Sequence, residues 1–409
     1  MEAERILEEA VREAGDRIRA ALAMRFRDLD MAEEAFAFAS LRAVETWSRD
    51  GPPRDPAAWL YAVGRRRAFD LGRRAKVRAD AVHDTPEPEP DPETILMAAF
   101  EPIPDERLRL IFVCCHPALA PEARIALTLR TLYGLSAERI ARAWLTTEVA
   151  MLQRLTRAKR KIRDSGIRFE IPSPEAWGER LEAVLATLEI AYAQAYEDAA
   201  GAGDAADLAS ETLRLSGLLV ELAPEEPEVL GLAALIRLTE ARRPARLDET
   251  GAMTPLSEQD VGLWDRRLIG EAMALLRRAA ELGRSGPYQL MAAIHAVHAT
   301  RLETGFTAWA NVVALYDALL TVRPSPIAAV NRAVALAEAQ GADAGLAALN
   351  AVEGPGRLAA WLPYQAARAG LFAKAGRDAE AAEALRAALA LHPAPAERLF
   401  LERRLASLG

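Results

Sequence analysis

The sequence predicts an all-α protein, and three observations carry that prediction. Aromatic residues make up only 6% of the chain and β-branched residues are sparse, while Ala, Leu, Glu and Arg are abundant, a bias toward helix formers and away from strand formers. Apolar residues recur at spacings of three and four in one segment after another. Ser, Asp, Pro and Gly stand where those segments begin and end. A chain of 409 residues exceeds one typical core, and 51% hydrophobic with 27% charged residues is the balance of a soluble folded protein. The predicted architecture is two small helical domains joined by a linker and followed by a longer array of helix pairs. Its bounds are residues 1–80, 81–103, 104–168 and 169–409.

The opening residues, MEAERILEEAVREAGD, read as an amphipathic helix and not a signal sequence, and no apolar run reaches the length of a membrane span. The expected location is cytoplasmic, with no membrane contact. Asp30 and Glu33 form a capping pair for a helix that runs through Trp47. That helix is apolar nearly all round, with Met31, Ala35, Phe36, Phe38, Leu41, Val44 and Trp47. It is therefore either deeply buried or shows apolar surface to a partner, and a unit this small has difficulty burying it all. Pro56 opens the next helix, in which Trp59, Tyr61, Arg65, Arg66, Arg67, Arg73, Arg74, Lys76 and Arg78 face only Asp70 on the acidic side. Aromatic rings among cations suit an unstacked single strand, where rings stack on bases and cations follow phosphates; a core helix with a basic end is the alternative.

Residues 81–103 are acidic and rich in proline, with little to bury, and read as an extended linker. Two helices follow, Pro104 to Ala118 and Pro121 to Tyr133. The first carries Cys114 and Cys115, the only cysteines, followed by His116. Adjacent cysteines rarely bridge each other, and no second ligand pair stands at a usual metal spacing, so core packing is expected. His295 and His298 share a helix face without carboxylates or thiols nearby and read as a core or interface pair.

The stretch Tyr133–Ile162 reads as two short helices meeting at a tight turn. Ser136 and Glu138 mark the start of the first, with Leu135 and Ile140 at the positions of a hydrophobic staple. After the break at Leu145-Thr146-Thr147, Met151, Leu155, Ala158 and Ile162 fall on one stripe of a helix. Ala150, Gln153, Arg154, Arg157, Arg160 and Lys161 lie on another face. Small, amide and guanidinium side chains opposite a buried stripe are what a major-groove reader needs, and the whole is a helix-turn-helix pattern. A net charge of −8 confines any DNA contact to local patches.

From residue 169 onward, helix pairs of roughly fifteen residues each are broken at AGAGD, APEEPE, GRSGP, RPSP, QGAD and EGPG. ARLDETGAMTPLSEQD has loop or short-hairpin chemistry. Near the end, Phe372, Gly376, Ala381, Leu385, Ala388 and Pro393 fall at the signature positions of a tetratricopeptide repeat, with Gln365 and Arg368 departing from it. Stacked helix pairs of that kind offer a concave surface to a protein or ligand. No nucleophile with a nearby base, phosphate-cradling glycine loop or metal spacing occurs, so the chain reads as a non-enzyme with no cofactor and no metal.

In this order the parts resemble a bacterial sigma factor of the sigma-70 superfamily, extracytoplasmic function group, in the subgroup with a long tetratricopeptide-like C-terminal extension. The motifs are Gly134-Leu135-Ser136, Ile140-Ala141 and Arg157-Ala158-Lys159-Arg160, with DMAEEAFAFASLRAVETW and PAAWLYAVGRRRAFDLGRR upstream. The resemblance implies that residues 1–80 are region 2 and 104–168 region 4, and that the partners are promoter DNA and core RNA polymerase through its β′ clamp and β flap. It implies polymerase docking by Met31, Phe36, Phe38, Leu41 and Trp47. The −10 strand falls to Trp59, Tyr61, Arg65, Arg66, Arg67, Arg73 and Arg74. The −35 groove falls to Thr147, Gln153, Arg154, Arg157, Arg160 and Lys161. Two departures stand out: Arg66 replaces an Asn common in region 2, and Leu145 replaces a turn Gly of region 4, where a left-handed conformation would be costly for leucine. A helix-turn-helix regulator with a helical sensor domain, acting without polymerase, is the other reading.

Overall fold

The computed structural model describes residues 2–80, 106–143, 146–170, 178–197, 204–352 and 358–408. The linker at 81–103 and the turn residue Leu145 lie outside the described residues. Every regular element among the described residues is helical, apart from one isolated antiparallel bridge between Leu247 and Met253. The chain divides into two compact units, Met1–Ala191 and Tyr192–Gly409.

The first unit opens with three long helices, α1 (Glu2–Phe26), α2 (Leu29–Asp50) and α3 (Pro56–Asp80), each packed on the other two. Their shared core is built on small residues: Ala20, Ala21 and Ala23 of α1, Ala35, Ala39 and Ala43 of α2, and Ala68 of α3 are all buried, with Ile18, Leu22 and Leu60 filling between them. Asp28, not Asp30, caps α2, its carboxylate accepting from the backbone N–H groups of Asp30 and Met31 at 2.9 and 3.0 Å. Because Asp28 satisfies the helix start, Asp30 and Glu33 are left for other partners.

Four further helices complete most of this unit: α4 (Arg107–Cys114), α5 (Pro121–Thr131), α6 (Ala137–Ala143) and α7 (Glu148–Asp164). α1 packs against both α4 and α5, so the segments on either side of the linker form one body. α4 is buried over most of its surface, with Leu110, Ile111, Phe112, Val113 and Cys114 at 1% exposure or less, while Arg109 stays exposed and pairs with Glu106 at 3.3 Å. It stops at Cys115, where His116 turns the chain by accepting from the backbone of Ala118 through Nδ1 at 3.1 Å. Cys115 lies 3.7 Å from the Thr128 hydroxyl and 3.4 Å from that of Thr187 on α8 (Gly178–Glu197). Burial pushes both thiols up, so they sit as small core groups, as expected from the sequence.

The second unit is a succession of packed helices: α9 (Asp204–Leu222), α10 (Pro227–Glu240), α11 (Arg266–Glu281), α12 (Pro287–Ala299), α13 (Arg301–Thr304), α14 (Trp309–Val322), α15 (Pro326–Gln340), α16 (Ala342–Asn350), α17 (Leu362–Lys374), α18 (Asp378–Leu389) and α19 (Pro395–Ala406). α10 is buried on nearly every side between α11 and α12. Glu228 near its start caps α12 by accepting from the backbone of Tyr288 and Gln289 at 2.9 and 3.2 Å, and a Cβ on Gly286 would overlap that carboxylate.

Ala381, Leu385 and Ala388 of α18 are buried against α17, with Gly376 in a left-handed turn between the two helices. Gln365, one of the two residues that depart from the repeat pattern, is buried and satisfied by donating to the Ala359 carbonyl at 2.8 Å. The segment with hairpin chemistry does turn back on itself around Gly251, with Asp248 accepting from Thr250 and Ala252. It also reaches the last helix: Met253 donates to the Ala396 carbonyl at 3.0 Å, Arg403 pairs with Asp248 at 2.6 Å, and Arg404 pairs with Glu258. Repeats in an open solenoid touch only their sequence neighbours, so this contact across about 150 positions is a departure from a simple stack.

His295 and His298 are a core pair, as expected. The His295 Nδ1 lies 2.6 Å from the Arg242 guanidinium, and the His298 ring stands edge-on to Trp309 at 5.2 Å. Burial first, then the Arg242 charge, holds both imidazoles below the usual histidine range, His298 at about 4.

Candidate nucleic-acid interface

α7 is positioned by its own sequence at both ends. Thr147 is the N-cap, its hydroxyl accepting from the Ala150 N–H at 3.2 Å, and Glu148 lies at the positive end of the dipole while Lys161 and Arg163 lie at the negative end. Thr147 was assigned to DNA by the resemblance; its side chain has this structural task. Met151, Leu155, Ala158 and Ile162 are the buried stripe, at 0 to 4% exposure. They pack α7 on α5 and α6. α6 begins where expected, with Ile140 buried and donating to the Ser136 carbonyl, and Gly134 supplies the left-handed residue (φ 65°) of the preceding turn.

A stripe that buries these four residues turns Gln153, Arg157, Arg160 and Lys161 to solvent and leaves Arg154 half-buried on the flank. The Arg157 guanidinium folds back to the Gln153 carbonyl at 3.3 Å, so its fork is held over the open face. Two cations of the same helix are already spoken for. Lys159 pairs with Glu33 at 2.8 Å and Asp30 at 3.2 Å, and Arg163 pairs with Asp30 and, at 3.9 Å, Asp28. Arg130 of α5 also reaches Glu33, at 3.9 Å. The acidic start of α2 thus neutralises one flank of α7. Its opposite face stays basic.

The open face also carries two residues that sequence reasoning passed over. Val149 and Leu152 are 65% and 47% exposed and, with Gln153, Thr156 and Arg157, line a shallow cleft on the outside of α7. The signal was present: they fall outside the Met151–Leu155–Ala158–Ile162 stripe, so a helix that buries the stripe must expose them.

The residues assigned to the opened strand are arranged differently. Tyr61 is buried at 3% exposure, and Trp59 is half-buried with its ring 5.4 Å from that of Trp47. Arg65 lies over the Tyr61 ring at 5.9 Å, while Arg67 pairs with Glu34 at 2.8 Å and lies 4.9 Å from the centre of the Phe38 ring. Arg66 is half-buried and Arg73 exposed; the side chain of Arg74 lies outside the described residues. Tyr61 therefore belongs to the core, a correction to its place in a strand-binding set. Its position on the stripe with Ala58, Ala62 and Ala68 turns it inward. The exposed aromatic of this helix is Phe69, at 54%, edge-on to Phe26 at 5.0 Å and 5.7 Å from the Arg25 guanidinium.

Among the residues assigned to polymerase docking, Phe36 and Trp47 are interior, at 7% and 2% exposure, and Met31 and Phe38 are half-buried. Leu41, at 58%, and Val44, at 43%, form the apolar surface that α2 leaves uncovered. One helix thus buries part of its apolar surface and leaves part uncovered. The small residues of α1 and α3 let α2 sink deeply enough to bury Phe36 and Trp47.

The fold and this surface define a class. The model of the family described as sigma-70, region 4 matches residues 109–162, which begin in α4 and end on the last buried residue of α7. The first unit therefore contains a sigma-70 region 4 helix-turn-helix, a DNA-binding element of transcription proteins that work with RNA polymerase and promoter DNA. A second model, a family of unknown function (DUF6596), matches residues 180–280. The chain is 42% identical over 395 residues to the uncharacterized protein R00370 of Rhizobium meliloti (strain 1021), covering 95% of this chain and 92% of that one, and it belongs to the same family. No solved structure matches it. No helix among the described residues is long and apolar enough to cross a membrane.

Proposed function

We infer that the chain is a sigma factor of the extracytoplasmic function type, which joins core RNA polymerase and directs it to promoters. In this reading α7 enters the major groove of the −35 element, with Gln153 and Arg157 at base edges and Arg160, Lys161 and Arg154 toward phosphates. The Leu41–Val44 face of α2 docks on the clamp helices of β′. Arg65, Arg66, Arg73 and Trp59 line the path of the opened −10 strand, and the acidic linker threads between the two contacts. The second unit, read as a tetratricopeptide-like extension, binds a protein or ligand and sets the activity of the first.

One observation carries the reading. Residues 109–162, the region 4 match, contain a capped helix whose cationic face points away from its buried stripe. An ordinary regulator requires that helix too, but has no use for an exposed Leu41–Val44 surface beside a basic α3.

Run-off transcription with core polymerase, comparing the full chain with its Arg157→Ala and Leu41→Glu variants, tests it. Promoter-dependent transcripts lost in both variants, together with loss of core polymerase co-purification in Leu41→Glu alone, is the expected result. Sequence-specific DNA binding without any association with core polymerase would overturn it in favour of a free-standing regulator.

A further inference from the structure

We propose that α7 reads thymine methyl groups through Val149 and Leu152, so that the recognised duplex carries A·T base pairs opposite the first two turns of this helix. The proposal rests on the DNA-binding reading of α7 and specifies what that helix selects.

Val149 and Leu152 stand three residues apart on the outer face of a helix whose other exposed side chains, Ala150 apart, are polar or charged. Their burial is low, 65% and 47% exposed, although four other apolar residues of α7 are almost wholly buried. They cannot join that core without rotating the helix and exposing Met151 and Leu155. The surface they make is continuous with Gln153, Thr156 and Arg157 in one shallow cleft. It lies at the N-terminal end of α7, the end a recognition helix presents to base edges. Arg157, Arg160 and Lys161 follow on the same exposed side and bring the cations that a phosphate-flanked surface requires. That charge complementarity selects a nucleic acid as the occupant.

The chemistry of the cleft matches one base pair in particular. In the major groove only thymine presents a methyl group, and aliphatic side chains are its natural contact. Gln153, exposed between Val149 and Arg157, has the amide that pairs with adenine N6 and N7. The Thr156 hydroxyl donates to the Leu152 carbonyl at 2.8 Å, which ties that hydroxyl to its own helix. An amide beside two aliphatic groups fits an A·T step, the adenine held by Gln153 and the thymine methyl packed on Val149 or Leu152. Burying one methyl group between apolar surfaces changes affinity by about three- to fivefold.

The test uses the full-length protein with core RNA polymerase and a duplex enriched by that complex from a randomised pool. The same duplex is then made with deoxyuridine in place of each thymine, which removes the methyl and nothing else from the groove. The expected result is about a three- to fivefold loss of affinity at one or two thymines. The Val149→Ala, Leu152→Ala double variant should keep its affinity for the uridine duplex and lose the preference for thymine. Equal affinity of the wild-type protein for both duplexes overturns the methyl reading and leaves DNA binding by α7 standing. An equal loss on both duplexes in the double variant also overturns it, because the two residues would then act through folding or through a protein contact. Failure to enrich any duplex overturns the DNA-binding reading itself. Both positions are exposed, so the double variant should retain the wild-type helical circular dichroism and melting temperature.

Discussion

α3 and α7 are both basic helices in the same compact unit, yet their cations are used in different ways. In α7 the apolar residues keep a strict helical stripe, and the cations opposite it remain available, except for the two that the start of α2 captures. In α3 the aromatics Trp59 and Tyr61 are followed closely by the cluster Arg65–Arg67, and packing distributes them: Tyr61 goes inside, Trp59 against Trp47, Arg67 to Glu34 and Phe38. The difference teaches that a separate anchoring stripe leaves a basic helix its whole opposite face for a polyanion, whereas a helix whose aromatic and basic residues also serve the core keeps only part of that face. Where the same residues must do both, the core takes the aromatics first, since an exposed ring forfeits the large area it could bury.

The largest expected effect lies on the α3 side. Tyr61→Ala or Trp47→Ala should destabilise the first unit by about 3–5 kcal/mol, read by denaturant unfolding, with DNA binding lost only as the unit unfolds. A Tyr61→Ala protein of unchanged stability that fails only at strand opening would erase the distinction between the two helices.

Acid should separate the two units, which is needed before either helix is judged from whole-chain unfolding. His298 is held at about 4 in the folded protein, below the ordinary 6.5, and His295 is lowered as well. The unfolded chain therefore binds the extra protons, and stability present above pH 6.5 drains away as pH falls toward 4, on the order of 2–3 kcal/mol for His298. The loss should appear in the unfolding of the second unit. A first unit that melts in step with it over this window would contradict the assignment.

On the α7 side, Arg157→Ala should weaken promoter binding by about 1–3 kcal/mol and reduce its salt dependence, with a melting temperature unchanged. Arg154→Ala, on the half-buried flank, should have the smaller binding effect of the two in the same titration; the reverse order would put the wrong face in the groove.

The smallest effects concern the captured cations. Lys159→Ala, which removes a largely buried partner of Glu33 and Asp30, should cost about 1 kcal/mol of stability, and Arg163→Ala, exposed, less than about 0.5. Neither should change DNA affinity at fixed salt as Arg157→Ala does. If Lys159→Ala weakens binding as strongly, that flank reaches the phosphates and the contrast with α3 is overstated.

Much of α7 was legible in the sequence because everything that specifies it is local: Thr147, the four-residue stripe and the final cations lie within one stretch. Val149 and Leu152 were legible by the same logic once the stripe was drawn. The α2 cap was misplaced by two residues, since Asp28 and Asp30 are equally good acceptors and only backbone geometry distinguishes them. The exposed aromatic of α3 was sought at Tyr61 and Trp59 and found at Phe69, because the interleaved pattern has no single face from which to count.

By itself the sequence determined that the chain is helical, where α7 begins and which side of it is buried, for these follow from caps and from a period that neighbours within one helix impose. Tertiary structure alone decided which cations remain free and which aromatics meet solvent. Lys159 finds Glu33 across 126 positions, Tyr61 is buried in the helix that packs on α1 and α2, and Arg403 finds Asp248 across 155. Such pairings are set by shape and charge between elements, and no local pattern encodes them.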